Sequence, residues 1–460
     1  MNETRENKDN GPHMIMFMGT KIQYLCSMDY QACLSYLYTK LPLFSRTGAA
    51  ALKLNLNNTI SICESLDHPE HKFRSIHVAG TNGKGSVSHM LASILQEQGY
   101  KTGLYTSPHL NDFRERIRIN GKMIPEENVI AFTKKMMPLI DQIEPSFFEV
   151  TVGMAFDYFA TEKVDFAVIE TGLGGRLDST NVITPMLSVI TNIGFDHMAI
   201  LGNTLEQIAS EKAGIIKQNT PVVIGKRDQE TDNVFIKTAA SKNAELVFAE
   251  DLYEPETVAL NRGSISVSLV RKKDLLKKII STPLAGLYQL ENIRTVLTAI
   301  DMLKNLTIHL DDRTIKSGIQ NVIQNTGLQG RWEMISQSPM IILDVAHNPA
   351  GIQQLVEQLK RTTYHKLYVI LGVSKDKDAE AILNLLPKNA VYGFTQAALP
   401  RAMAKEELSE MAGCKGLKGI CFASVNDALI RFKGESEPDD LIIVCGSIFI
   451  VGEVNRDLFD

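Results

Sequence analysis

The sequence predicts an α/β protein of two domains, each built on a mainly parallel sheet. Short apolar runs at Ile76–Val78, Phe166–Ile169, Leu187–Thr191 and Val222–Ile224 alternate with helical or loop segments. That alternation marks parallel strands covered on both faces. The pattern then restarts after about residue 325: strands are expected at Met340–Leu343, Leu367–Leu371, Ala390–Phe394 and Leu441–Val444, and helices at Ile352–Leu359 and Ala379–Leu386. A chain of 460 residues also exceeds what one hydrophobic core normally serves. The boundary is placed in Gln324–Gly330, where Asn, Thr and two glycines break the periodicity, giving domains over 28–325 and 326–460.

Ahead of them, residues 1–27 are polar and carry no helical or strand period, so a disordered extension is expected. Removing residues 1–20 should leave activity and stability nearly unchanged. Residues 29–66 then read as helical, through Leu34, Leu37, Leu41 and Leu43.

Composition excludes several classes. With 44% hydrophobic and 22% charged residues the chain is globular. A formal net charge of -5 leaves no basic surplus for a nucleic-acid backbone. No apolar run reaches the roughly 18 residues of a membrane span, and the N-terminus lacks the order of a secretion signal. Cys26, Cys33, Cys63, Cys414, Cys421 and Cys445 suit neither a zinc framework nor a disulfide one. Free thiols point to a reducing cytosol, hence a cytoplasmic protein.

The chemistry enters at Gly80-Thr81-Asn82-Gly83-Lys84-Gly85-Ser86, which follows the Ile76–Val78 strand. Val87, Met90, Leu91, Ile94 and Leu95 then recur at helical spacing, with Gly99 where a C-terminal cap belongs. A further strand is expected at Thr102–Thr106. Strand, glycine-rich turn and helix in that order form a phosphate cradle: successive N–H groups approach the anion and the helix N-terminus adds positive partial charge. Lys84 would reach the terminal phosphates and Ser86 would support phosphate or metal. Gly85, standing between lysine and serine, departs from the strict GxxxxGK[ST] string. Glu170 ends the run Phe166–Ile169 at the sheet edge where ligands bind, and Gly172, Gly174 and Gly175 follow at once. It is the best metal-ligand candidate read from the residues themselves. Asp196-His197, just after Leu187–Thr191, falls on the same edge.

The string His77-Val78-Ala79-Gly80-Thr81-Asn82-Gly83-Lys84-Gly85-Ser86 resembles the nucleotide loop of the folylpolyglutamate synthase/dihydrofolate synthase family, in the Mur ligase superfamily. The likeness continues through Tyr105–Leu110, Arg114–Arg116, Phe148-Glu149, Glu170–Asp178, Asp196-His197, Glu211–Ile215 and Asp344–Pro349, covering roughly residues 28–460. It implies a P-loop-containing parallel-sheet ATPase domain plus a smaller Rossmann-like α/β domain. It also implies an ATP-dependent amide ligase that activates a carboxylate as an acyl phosphate and joins it to L-glutamate. The acceptor would be dihydropteroate, the γ-carboxyl of a reduced folate, or both.

The same resemblance implies the site. Thr81, Asn82, Gly83, Lys84, Gly85 and Ser86 would bind ATP, with Gln289 and Asn292 on the adenine side, Arg331 on the phosphates and Asp344 on the ribose. Ser107 and Glu170 would hold one Mg²⁺. His197 and a carbamylated Lys212 would hold a second, because a plain lysine has only donors. His347 would lie near phosphate and glutamate, Phe148 and Glu149 on the pterin side, and Ser447 near the glutamate carboxylate. Lys84, His197, Lys212 and His347 are thus the catalytic set. Three departures stand out: Gln329 for the usual Pro, Val345 for Gly, and Tyr288 for His before Gln289. Expected partners are small molecules, with the chain acting as a monomer.

Two other readings compete. A muramyl-peptide-type amino-acid ligase shares the mechanism, but the residues before the phosphate loop are too few for a uridine-nucleotide domain. A guanine-nucleotide switch would need an Asn-Lys-x-Asp element, which the chain lacks.

Overall fold

In the computed structural model, residues 28–48, 53, 55–261 and 263–459 are described. The expected N-terminal extension over 1–27 lies outside them. The first half is built on an eight-stranded sheet in the order β4-β3-β2-β5-β1-β6-β7-β8. Its strands are β1 (Arg74–Ala79), β2 (Thr102–Tyr105), β3 (Ile117–Ile119), β4 (Lys122–Met123), β5 (Phe166–Glu170), β6 (Leu187–Ile190), β7 (Val222–Ile224) and β8 (Leu246–Phe248). All pairings from β2 through β8 in that order are parallel, while β3 and β4 close one edge antiparallel. The chain crosses from one side of β1 to the other between β5 and β6. The crevice past the C-terminal end of β1 is therefore a topological switch point, where such sheets bind ligands.

The helix Lys84–Glu97 differs from its expected single buried face: every residue from Gly85 to Leu95 is buried. It lies between the sheet and the helices Gln289–Asn305, Asp312–Gln320 and Val322–Thr326, so its polar serines also face protein. Gly99, with φ of 94°, does follow its end. The helical reading of 29–66 resolves into Tyr30–Lys40, Phe44–Thr47 and Asn57–Ser65, interrupted at Pro42.

Between the parallel sheet and the next domain stands an antiparallel meander, β9 (Tyr253–Asn261), β10 (Ser264–Arg271) and β11 (Leu276–Thr282), which the sequence reading did not anticipate. Its apolar alternation is real at Ile265, Val267 and Leu269, which are buried. Pro255 and the charged outer faces of β9 and β11 obscure it.

The last third forms a six-stranded sheet in the order β12-β13-β17-β14-β15-β16. It comprises β12 (Glu333–Gln337), β13 (Met340–Leu343), β14 (Leu367–Leu371), β15 (Val391–Phe394), β16 (Gly419–Cys421) and β17 (Leu441–Cys445). β12 pairs antiparallel and all others are parallel. Among the described residues no helix is long and apolar enough to cross a membrane.

Buried histidines tie stability to pH. His77 on β1 donates its Nε2 proton to Thr180 Oγ1 at 2.8 Å, because that hydroxyl spends its own proton on Asp178. His89 donates from Nδ1 to Thr326 Oγ1 at 2.8 Å, since Thr326 donates to the Val322 carbonyl. Burial pushes both down to about 3. Between pH 6.5 and 3 the unfolded chain binds protons that the folded one refuses, so stability falls as pH drops through that window. H89N, which keeps an amide donor near Nδ1, is expected to flatten the acid limb of a urea-unfolding series. Parallel limbs for wild type and H89N would show that His89 does not set the slope.

Candidate active site

β1 delivers the chain into the loop Gly80–Gly83, and neighbouring elements fix that loop before any ligand arrives. Thr81 N donates to Asn192 O at 2.9 Å, Asn82 N donates to Asn192 Oδ1 at 2.9 Å, and Thr191 Oγ1 donates to Asn82 O at 2.6 Å. Gly83 has φ of 84°, and a Cβ there would sit 2.3 Å from Asn292 Oδ1. Both conformation and space demand glycine at this position. Lys84 Nζ folds back on Gly80 O at 3.0 Å and Thr81 O at 3.2 Å.

Lys212 lies in the last turn of the helix Leu205–Ala213, and its Nζ donates to the same Gly80 carbonyl at 2.9 Å. Only 4% of it is exposed, so it is no solvated helix lysine. Burial, helped by the charge of Lys84, lowers its amine to about 7.

Glu170, the last residue of β5, is 5% exposed and accepts from Ser107 N at 3.3 Å. Burial raises its carboxyl to about 7, against the opposing charges of Lys84 and Arg331. Arg331 donates to Gln329 O and Gly330 O and reaches over Gly85.

A second cluster joins the two domains. Asp196 Oδ1 accepts from Lys377 Nζ at 2.5 Å, and Asp196 Oδ2 accepts from Asn348 Nδ2 at 3.1 Å with His347 Nε2 at 3.4 Å. His347 Nδ1 donates to Val345 O at 2.9 Å, which fixes its ring. Burial acts to raise the Asp196 carboxyl, but the hydrogen bond and charge of His347, with the charges of His197 and Lys377, outweigh it and hold it well below the usual range. His197 Nε2 accepts from Lys377 Nζ at 3.2 Å, so its proton sits on Nδ1. Burial pushes that imidazole down to about 3. Asn82 and Asn348 exchange side-chain bonds at 3.2 and 3.0 Å, linking the phosphate loop to the second domain.

Of the expected contacts only Gln289 does not line the ligand space; Glu149, Ser447 and Asp344 line it while also bonding within the fold. Gln289 is fully buried behind the loop, donating to Ser86 Oγ at 3.2 Å and accepting from Asn292 Nδ2 at 2.8 Å. Its amide is bonded to the residues that order the loop. Glu149 closes a capping box, accepting from Ser146 N at 2.6 Å, and also accepts from Asn58 Nδ2. Ser447 caps the short helix Ile448–Gly452 through Phe449 N at 3.2 Å. Asp344 accepts from Tyr288 Oη at 2.7 Å, Trp332 N at 2.9 Å and Ala346 N at 2.8 Å. Tyr288, the departure from His, thus couples the first domain to the residue expected at the ribose. Val345 has no positive φ, as its side chain requires.

Lys84, Ser107, Phe148, Glu170, His197, Lys212, Asn292, Arg331, Asp344 and His347 all line one cavity of about 580 Å³ between the domains. Lys377, Arg401 and Asn192 line it too and were not singled out from the sequence. Lys377 and Asn192 had a legible signal, each lying in a polar loop after an apolar strand at a sheet edge. A phosphate loop, a buried carboxylate and a lysine-rich wall between two α/β domains define an enzyme that works on phosphoanhydrides.

Residues 78–300 match the Mur ligase middle domain, and residues 330–448 match the Mur ligase, glutamate ligase domain. The chain is 33% identical over 443 residues to dihydrofolate synthase/folylpolyglutamate synthase of Bacillus subtilis (strain 168), across 93% of this chain and 99% of that protein. It is 32% identical over 445 residues to folylpolyglutamate synthase of Lacticaseibacillus casei, across 94% and 99%. E. coli FolC in complex with DHPP and ADP superposes with a TM-score of 0.81 at 27% identity, covering 94% of this chain and 98% of that one. A Yersinia pestis bifunctional enzyme complexed with AMPPNP and Mn ion gives 0.79 at 28% identity, with 94% and 98% covered. The chain belongs to the dihydrofolate synthase/folylpolyglutamate synthase family of Mur ligases. The muramyl-peptide reading describes only the broader superfamily.

Proposed function

We propose that this chain adds L-glutamate both to dihydropteroate and to the γ-carboxyl of reduced folates, using ATP, in the cytoplasm and as a monomer. The observation that carries the reading is the meeting of Lys84, Glu170, Lys212 and Arg331 at one sheet edge, in a chain colinear with synthases of both names.

Two bonds are made and two broken. A carboxylate oxygen of the pterin substrate attacks the γ-phosphorus and ADP departs with the bridging oxygen. The neutral glutamate amine then attacks the acyl carbon, the C–O bond to phosphate breaks with its electron pair on oxygen, and the nitrogen gives its extra proton to the departing phosphate. Lys84, Arg331 and the N–H groups of Gly83–Ser86 would carry the phosphate charge through the first step. Lys377 and His347, around Asp196, would position the glutamate. Phe148 would present its ring to the pterin, and closure of the domains would exclude water from the acyl phosphate.

The donor set suits magnesium. Among the described residues, the buried Glu170 carboxylate accepts a side-chain hydrogen bond from Ser107 N alone, which leaves oxygen lone pairs for a hard cation, and the Ser107 hydroxyl would be a second ligand. His197 is neutral, but its Nε2 would first have to leave Lys377. Magnesium would supply charge neutralisation on the transferred phosphate. A carbamylated Lys212 would supply oxygen ligands for a second ion.

Purified protein with ATP, Mg²⁺ and glutamate should release ADP with dihydropteroate and, in a separate assay, with tetrahydrofolate. ADP release with tetrahydrofolate alone would overturn the dual assignment.

A further inference from the structure

At the opposite end of β1 from the nucleotide loop, the helix Asn57–Ser65 turns into the strand through Asp67-His68-Pro69-Glu70-His71. Asp67 and His68 both take left-handed backbone, with φ of 60° and 51°. The segment Pro69–His71 is a single 3₁₀ turn. Residues three apart eclipse in such a turn, and the His68 and His71 rings accordingly stack with centroids 5.7 Å apart. Glu70 points inward beneath them, its side chain only 6% exposed. Its Oε1 lies 3.0 Å from His68 Nδ1 and 3.5 Å from His71 Nε2. All three donor atoms fall within 4.8 Å of one another.

We infer that His68, Glu70 and His71 form a binding site for a zinc-class divalent cation. A tetrahedral ion with bonds of about 2.0–2.1 Å sets its ligands roughly 3.3 Å apart, and the two measured separations bracket that spacing. Two imidazole nitrogens with one carboxylate oxygen suit zinc rather than magnesium or calcium, which take oxygen sets. One proton-dependent ion pair would account for a single histidine on Glu70. It does not account for two rings that aim different nitrogens at the same oxygen. Among the described residues, Glu70 Oε2 is buried with no nitrogen or oxygen partner, only the Cys63 thiol close to the carboxylate. The Cys63 thiol stands beside that carboxylate, pushed up by burial and by the Glu70 charge. The nearby cation Lys72 is held by Asp67 at 2.6 Å, so it does not oppose an ion. The half-exposed histidines leave an entry path and an outer position for water. About 15–20 Å of strand, at ~3.3 Å per residue, separates this turn from the phosphate loop. A cation here would rigidify the turn at the base of β1, which packs on the helix Phe147–Thr161.

The test uses the tag-free full chain, freed of metal by EDTA and titrated calorimetrically with zinc chloride in buffer containing Mg²⁺ and ADP. Wild type should bind one equivalent more than H68Q/H71Q, or bind it at least ~10-fold more tightly. Zinc should raise the melting temperature of wild type alone, while ligase turnover without zinc stays equal in both. The single variant H71Q, altered at an exposed ring, serves if the double variant folds poorly. Cobalt added to wild type should give the intense visible bands of a tetrahedral site, lost in H71Q. Equal zinc stoichiometry and affinity in wild type and variants, or an octahedral cobalt spectrum unchanged by substitution, would overturn the assignment.

Discussion

Replacing Lys212 with alanine is expected to lower turnover by about 10²–10³-fold and to change ATP affinity by less than about threefold. The amine is buried against Gly80 O, and burial with the Lys84 charge brings it to about 7. Above that pH it is neutral and nucleophilic. Under the carbamate proposal, attack of its lone pair on CO₂ would form an N–C bond, release one proton and put a carboxylate at the end of the side chain. Bicarbonate or short carboxylates should restore part of the rate to K212A by replacing those oxygens. The same depression has a stability signature. Between pH 7 and 10.5 the unfolded chain holds a proton on Lys212 that the folded chain has lost, so stability rises with pH across that window. K212A should lose that slope. Unaltered turnover in K212A, or high-resolution density for a bare ammonium beside an occupied second metal position, would end the carbamate proposal.

Glu170→Gln is expected to stabilise the metal-free protein at pH 8 while cutting turnover by roughly 10²–10³-fold. Burial raises the Glu170 carboxyl to about 7 from 4.5. The folded state therefore binds its proton more tightly, and stability present below pH 4.5 is lost as pH rises through 7. At 1.36 kcal/mol per tenfold change, the charged form costs on the order of 3 kcal/mol at pH 8. Glutamine removes that cost and should give no advantage at pH 4. Adding Mg²⁺ should raise the melting temperature of wild type more than that of E170Q. A variant no more stable than wild type at pH 8 without metal would contradict the account, as would one that keeps full turnover.

Much of the architecture was legible because strands buried on both faces read as continuous apolar runs. The bounds of Met340–Leu343 and Leu367–Leu371 recur unchanged in the fold. The meander over Tyr253–Thr282 was not legible, because sheets wet on one face carry charge at alternate positions and Pro255 breaks the pattern further. Local order also carried the phosphate loop: strand, glycines, lysine and helix lie within a few residues, so spacing alone encodes the cradle. Glu170 could be read the same way, from its position at a strand end.

Contacts between residues far apart in the chain required the fold. Lys377 lies 180 residues from His197, yet its ammonium bonds both Asp196 and His197. Nothing in its own neighbourhood encodes that. Gln289 is expected on the adenine side by resemblance, but packing turns it inward onto Ser86. Nothing near Lys212 in the chain marks it for burial; the approach of its helix to Gly80 buries it. By itself the sequence determined the layers, the phosphate loop and the carboxylate at its edge, since these follow from local periodicity. The tertiary structure decided the charge states of Lys212, Glu170 and His197, because desolvation and neighbouring charge exist only once distant segments have packed.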